Sequence, residues 1–134
     1  MDSELVEFET GTRRVTDLTD TIRHYCAQQK DGLCNIFVPH ATAGLAVIEL
    51  GSGSEADLDR LLDRLVPRDD RYEHRHGSRG HGADHLIPAL VSPSLVLPVK
   101  AGRVLLGTWQ SVVLVDTNAD NPHRQVRLSF LSDH

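Results

Sequence analysis

Apolar and polar positions alternate with a period of two at the start of the chain and shift to a helical period soon after. Leu5 to Thr10 alternates, as a half-buried or edge strand does. In TDLTDTIRHYCAQQ, residues 16–29, Leu18, Ile22, Tyr25 and Cys26 fall on one helical face. Thr16 or Asp17 is placed to cap this helix, and Gly32 lies just past its end. Leu33–Val38 reads as a buried strand stopped by Pro39, and Gly44–Leu50 as a second apolar run, so PHATAG between them is a turn or sharp crossing. After the small-residue linker Gly51–Ser54, Ser54 with Asp57 three residues on is placed to cap a second helix. There Leu58, Leu61, Leu62, Leu65 and Val66 form an i, i+3, i+4, i+7, i+8 stripe that Pro67 ends.

The following stretch, PRDDRYEHRHGSRGHG, mixes charges of both signs with glycines and almost no apolar residue. It is a long loop, and loops of this length inside a domain are usually functional or mobile. Ala83–Leu90 is a short helix interrupted at Pro88, and Leu95–Val99, Val104–Leu106, Trp109–Asp116 and Val126–Leu131 are strands, with Lys100–Arg103 a hairpin connection. Early strands and helices followed by a run of strands predict an α+β domain with a mostly antiparallel or mixed sheet, two main helices and one short one.

Length and composition narrow the function classes. A chain of 134 residues is expected to form one domain, 1–134, burying roughly two-thirds of its unfolded surface without staples. A net charge of -5 disfavours nucleic acid as the main partner, which needs a concentrated basic face. Cys26 and Cys34 read as small buried hydrophobes, not a disulfide framework. MDSELVEFET has neither the basic nor the apolar region of a secretory signal, and no apolar run approaches the roughly 20 residues of a membrane span. A soluble, cytoplasmic protein without membrane contact is the expectation.

Candidate chemistry rests on the 8 histidines. His74, His76, His81 and His85 crowd the long loop and its end, and imidazoles bind divalent metals where three or four donors converge. His81 and His85 stand at i, i+4 and share a face if that stretch is helical. His40 sits where a strand breaks into small residues that let the backbone approach a ligand, with the Thr42 hydroxyl nearby. Glu49, in LAVIEL, is either a strand-end solvent group or a buried carboxylate, which then needs pairing or a metal. Trp109 beside Gln110 is a core anchor or a stacking wall for a flat ring. Asp116, Asp120, His123 and Arg124 share one segment, which is a turn or a place where acid groups hold a metal and the guanidinium a phosphate. No GxxxxGK[ST], GxGxxG or CxxC motif is present.

In order, PHATAGLAVIE, a helix beginning near DL, YEH, ADHLIPAL, PV-x-x-GRVLLGTWQ and D-x-P-x-R resemble the YjbQ-type family, from about His40 to Arg127. That family is sometimes labelled a secondary thiamine-phosphate synthase. The resemblance implies a compact YjbQ-like subunit, usually a homotrimer, with histidines near subunit contacts. By matching motif positions, His40, Glu49, His74 and His85 are implied as catalytic groups. Thr42, Trp109, Gln110 and Arg124 are implied as substrate or phosphate contacts, and His40, His74 and His85 as ligands of a divalent metal, zinc or magnesium. Ile48 stands where the family usually has asparagine, Ala83 where it has histidine and His81 where it has asparagine. His123 replaces an arginine of the late motif, so phosphate affinity there should depend on pH and lean on Arg124.

The implied activity is a transferase-type joining of a pyrimidine pyrophosphate to a thiazole phosphate, with a small phosphorylated heteroaromatic molecule as partner. The alternatives are a non-enzymatic trimer that binds a metal or small phosphate ligand, and a metal-dependent hydrolase.

Overall fold

The alternation at the start of the chain forms β1 (Asp2–Glu9) in the computed structural model, which describes residues 1–74, 77 and 80–133. Val6 and Phe8 turn inward along it while Leu5 and Glu7 stay exposed. There follow β2 (Val15–Asp17), α1 (Thr19–Cys26), β3 (Gly32–Phe37), β4 (Ala43–Ile48) and α2 (Ser54–Leu65). Two single-turn helices come next, α3 (His81–Asp84) and α4 (Ile87–Leu90), then β5 (Ser94–Lys100), β6 (Arg103–Val104), β7 (Ser111–Asp116) and β8 (His123–Ser132). The strands make two sheets, β1-β8-β3-β5-β6 and β2-β7-β4. Every pairing among the described residues is antiparallel. The class is α+β as expected, with two antiparallel sheets in place of one.

β7 explains the layering. Its run SVVLVD does not alternate in polarity, because both of its faces are covered. Val112 and Leu114 face a core shared with Ile22 and Cys26 of α1 and with Cys34, Ile36 and Leu128 of the larger sheet. Val113 and Val115 face the opposite way, onto Leu62 of α2, Val66 just past its end, and Ala83 and Ile87. The smaller sheet is thus a middle layer, with the larger sheet on one side and α2, α3 and α4 on the other. Full burial of each such aliphatic side chain contributes about 1.5–3 kcal/mol. Cys26 and Cys34 are free thiols, wholly buried in the first core.

Several element boundaries differ from the sequence expectation, each for an identifiable reason. Thr16 and Asp17 are not helical. Val15–Asp17 pairs with β7, and α1 starts at Thr19 with Leu18 at its N-cap. Asp17 still meets the helix start, since its Oδ1 accepts the Thr19 N–H at 2.9 Å. Ser54 is the first helical residue of α2 and makes no capping bond. Gly53 holds the N-cap, and Glu55 Oε1 accepts the Gly51 N–H at 2.8 Å. Of the α2 stripe, Leu62 and Val66 are buried while Leu61 and Leu65 remain exposed, because the 58/62/66 row meets Val113 and Val115. The 83–90 helix breaks at His85 and Leu86, not at Pro88. Pro88 sits in the first turn of α4, where its missing N–H costs nothing. The last long strand begins at Ser111 because Gly107–Gln110 closes a turn, the Gln110 N–H donating to the Gly107 carbonyl at 3.1 Å.

Leu114→Ala should lower stability by about 2–5 kcal/mol in urea unfolding, because it opens a cavity in the middle layer. Leu61→Ala, on the exposed edge of the α2 stripe, should stay within about 0.5 kcal/mol of the parent protein.

Candidate functional site

Three histidines converge at α3. The turn places His81 at its start and His85 one turn on, so their i, i+4 spacing brings the two Nε2 atoms to 2.8 Å. His74 comes from the preceding segment, with its ring centroid 3.9 Å from that of His85 and 5.5 Å from that of His81. One ring nitrogen from each of the three lies within 4.8 Å of the others. His81 is buried, His85 half-buried and His74 exposed, so the group opens to solvent on the His74 side. The 72–74 segment can lie this close only because residue 82 is glycine. A Cβ there would stand 2.4 Å from the His74 carbonyl oxygen and 2.9 Å from Tyr72 Cβ. Tyr72 is fixed in turn by its hydroxyl, which donates to the Pro67 carbonyl at 2.6 Å.

A buried carboxylate anchors α3. Asp84 is 0% exposed, and its Oδ1 accepts hydrogen bonds from the Arg68 guanidinium and, at 2.6 Å, from the Thr117 hydroxyl. Arg68 follows α2 and Thr117 follows β7, so one carboxylate ties three segments together. The stretch after β7 is built from side chains closing onto the backbone two residues on. Asp116 Oδ1 accepts the Asn118 N–H at 3.0 Å, Asn118 Oδ1 the Asp120 N–H at 2.9 Å, and Asn121 Oδ1 the His123 N–H at 3.0 Å. This stretch is the turn its composition suggested, and it also delivers Asp120, whose Oδ2 lies 3.3 Å from His81 Nδ1.

His40 stands apart from the three-histidine group. Its Nε2 accepts the Gln125 N–H at 2.9 Å, on the wall of a cleft of about 620 Å³ with Glu7, Glu9, Asn121, His123 and Arg124. Burial, and then the positive charge of Arg124, hold its pKa below the ordinary 6.5 against the opposing pull of Asp116. Arg124 is 4% exposed, with Nε and Nη2 engaged by Asp116 and Nη2 3.3 Å from Thr42 Oγ1. His123 is exposed, its Nδ1 3.2 Å from Glu9 Oε1.

The remaining sequence candidates are spread more widely. Glu49 is exposed just past β4 and takes the strand-end position. Trp109 is 73% exposed, so it is not a core anchor, and Gln110 Oε1 accepts the Gly107 N–H of its own turn. Of the expected ligands His40, His74 and His85, the fold brings the last two together, with His81 beside them, and leaves His40 elsewhere. His76 lies outside the described residues. The i, i+4 spacing was the signal for His81. Asp120 stood among the candidates of its own segment, but its contact with His81, 39 positions away along the chain, had no local signal.

The sign of the His40 shift fixes a pH effect. A depressed folded pKa means that the unfolded chain takes up a proton first as pH falls below 6.5. Stability from this group is therefore complete above 6.5 and lost as pH falls toward the folded value. NMR titration should place the His40 ring below 6.5. Urea midpoints should also fall between pH 7.5 and 5.5 by more in the parent protein than in His40→Gln.

Comparison with known proteins agrees with this architecture. The family model described as UPF0047 protein YjbQ-like matches residues 4–133. The chain is similar to UPF0047 protein Rv2556c of Mycobacterium tuberculosis, 62% identical over 131 residues, which cover 98% of each chain. Among solved structures it is similar to hypothetical protein APE1520 of Aeropyrum pernix K1, with TM-score 0.88 and 28% identity over 99% of this chain and 100% of that one. A YbjQ-like protein of unknown function, SSO2532 from Sulfolobus solfataricus P2, shares the fold, with TM-score 0.90 and 23% identity over 98% and 97% of the two chains. From the matched sequence span and the shared two-sheet fold, the chain belongs to the YjbQ (UPF0047) family.

Proposed function

We propose that this chain is a divalent-metal enzyme whose centre is His74, His81 and His85, acting on a small phosphorylated heteroaromatic ligand. The convergence of those three rings carries the reading. Tetrahedral zinc with metal–nitrogen bonds of about 2.0–2.1 Å needs ligand nitrogens about 3.3 Å apart. The present spacings, 2.8 Å for one pair and at most 4.8 Å overall, bracket that value. Three imidazoles favour zinc or a similar borderline ion over magnesium, which prefers oxygen ligands. A divalent ion held there supplies electrostatic stabilisation to a departing phosphate or pyrophosphate.

The chain's own part is to present three ring nitrogens toward one point, with entry from the exposed His74 side. The cleft beside His40 falls within the size range of small-ligand pockets, and we assign it the heteroaromatic body of the ligand. Support for linking the two places comes from the 116–124 segment, which gives Asp120 to His81 and the adjacent Asn121 to the cleft. The specific reaction we carry forward is the joining of a pyrimidine pyrophosphate to a thiazole phosphate. Hydrolysis is the second reading, favoured by the solvent-facing side of the three-histidine group.

We further assign the assembly to a homotrimer. What supports an assembly is the outer face of the larger sheet, where Leu33, Phe37, Val96 and Leu131 are exposed on one side. No helix among the described residues is long and apolar enough to cross a membrane.

Zinc titration of metal-depleted protein should reach about one ion per chain, and His85→Ala should weaken binding by at least about 100-fold, more than loss of an outer-shell partner does. With zinc, the two phosphorylated precursors should yield thiamine phosphate. Phosphomonoester turnover without that product would select hydrolysis, and metal binding with no turnover would select the non-enzymatic binder. Light scattering should give the mass of three chains.

A further inference from the structure

We infer that Asp120 is a positioning residue for the three-histidine centre, holding the His81 ring so that Nε2 faces His85 and His74. The inference rests on the metal reading above and adds a group outside the ligand set.

The geometry around His81 is directional. Nε2 lies 2.8 Å from His85 Nε2, on the side of the converging rings. Nδ1, on the opposite edge of the imidazole, lies 3.3 Å from Asp120 Oδ2. The negative charge of a carboxylate at this ion-pair distance favours the imidazole tautomer that carries its proton on Nδ1. That tautomer leaves Nε2 bare, as a metal ligand must be. Carboxylates placed behind metal-binding histidines do this generally, fixing tautomer and ring orientation together.

Asp120 is itself held in place. Its N–H is accepted by Asn118 Oδ1 at 2.9 Å, and the Asn118 N–H by Asp116 Oδ1 at 3.0 Å. Asp116 is locked by its buried ion pair with Arg124. The backbone at Asp120 is therefore placed by successive turns that start from the buried Asp116–Arg124 pair. Gly77, with φ +81, packs over the contact. A Cβ there would lie 2.9 Å from His81 Cγ and 3.1 Å from Asp120 Oδ2, so a side chain would press between ring and carboxylate. His81 is 8% exposed, so solvent has little access to hold the ring in its place.

The test uses the full chain with Asp120→Asn, Asp120→Ala and Asp120→Glu, each checked by urea unfolding, and Zn²⁺ as the probe. Zinc affinity, read by competition with a chromophoric chelator, should fall about 10–100-fold in Asp120→Ala with stoichiometry unchanged. Asp120→Glu should recover part of that loss. In metal-depleted protein, nitrogen-15 spectra should show His81 protonated on Nδ1 in the parent and as a tautomer mixture in Asp120→Ala. Unchanged zinc affinity in Asp120→Ala, alongside a loss in His85→Ala, would overturn the inference while leaving the metal reading intact. So would a parent His81 protonated on Nε2. If the parent binds no zinc, the metal reading falls, and the tautomer comparison still decides whether Asp120 orients the ring.

Discussion

A carboxylate removed from water must be met by positive charge and hydrogen bonds, and the layout of this protein follows from meeting that demand twice beside β7. Asp116, the last residue of the strand, pairs with Arg124, while Asp84 on α3 pairs with Arg68 and takes the hydroxyl of Thr117. Removing either arginine would leave a buried carboxylate with a hydrogen bond but no opposite charge, a loss of about 3–5 kcal/mol in comparable pairs. The two pairs therefore restrict where α3, the segment after α2 and the segment after β7 can lie. The histidines have little freedom of their own. They meet on segments that the ion pairs also hold together.

β7 makes this arrangement possible because it is buried on both faces. A strand with one wet face would deliver Asp116 and Thr117 to solvent, where an ion pair is worth little. Here the strand ends between two apolar cores, so its terminal polar groups are committed to protein partners. The Asp and Asn residues that follow continue in that manner, each folding back on the backbone just ahead. Structural rigidity at the centre thus comes from short polar side chains as much as from packing.

The larger elements were legible in the sequence because their signals are local. The 54–65 helix announced itself by its apolar row, and the later strands by their β-branched runs. Thr16 and Asp17 suit a helix cap by residue type, whereas pairing with β7, nearly a hundred residues on, puts both in β2. The same divide runs through the site. His81 and His85 carried a visible i, i+4 spacing. The Asp120 contact and the separation of His40 from the other three histidines depend on which loops meet, which no window of sequence reports. Trp109 shows the limit of residue type, since a tryptophan in an apolar neighbourhood here stands in solvent.

The position of β8 has a consequence for how the protein is made. In the larger sheet β8 lies between β1 and β3, with Asp2 opposite Phe130 and Cys34 opposite Phe130 on the other side. The residues of β1 therefore have no sheet neighbour until residues 123–132 have been synthesised. Pairings of such long sequence separation close slowly. During translation β1 must wait as an unpaired edge, and its Glu4, Glu7 and Glu9 give that waiting strand the charge that keeps edges from joining one another.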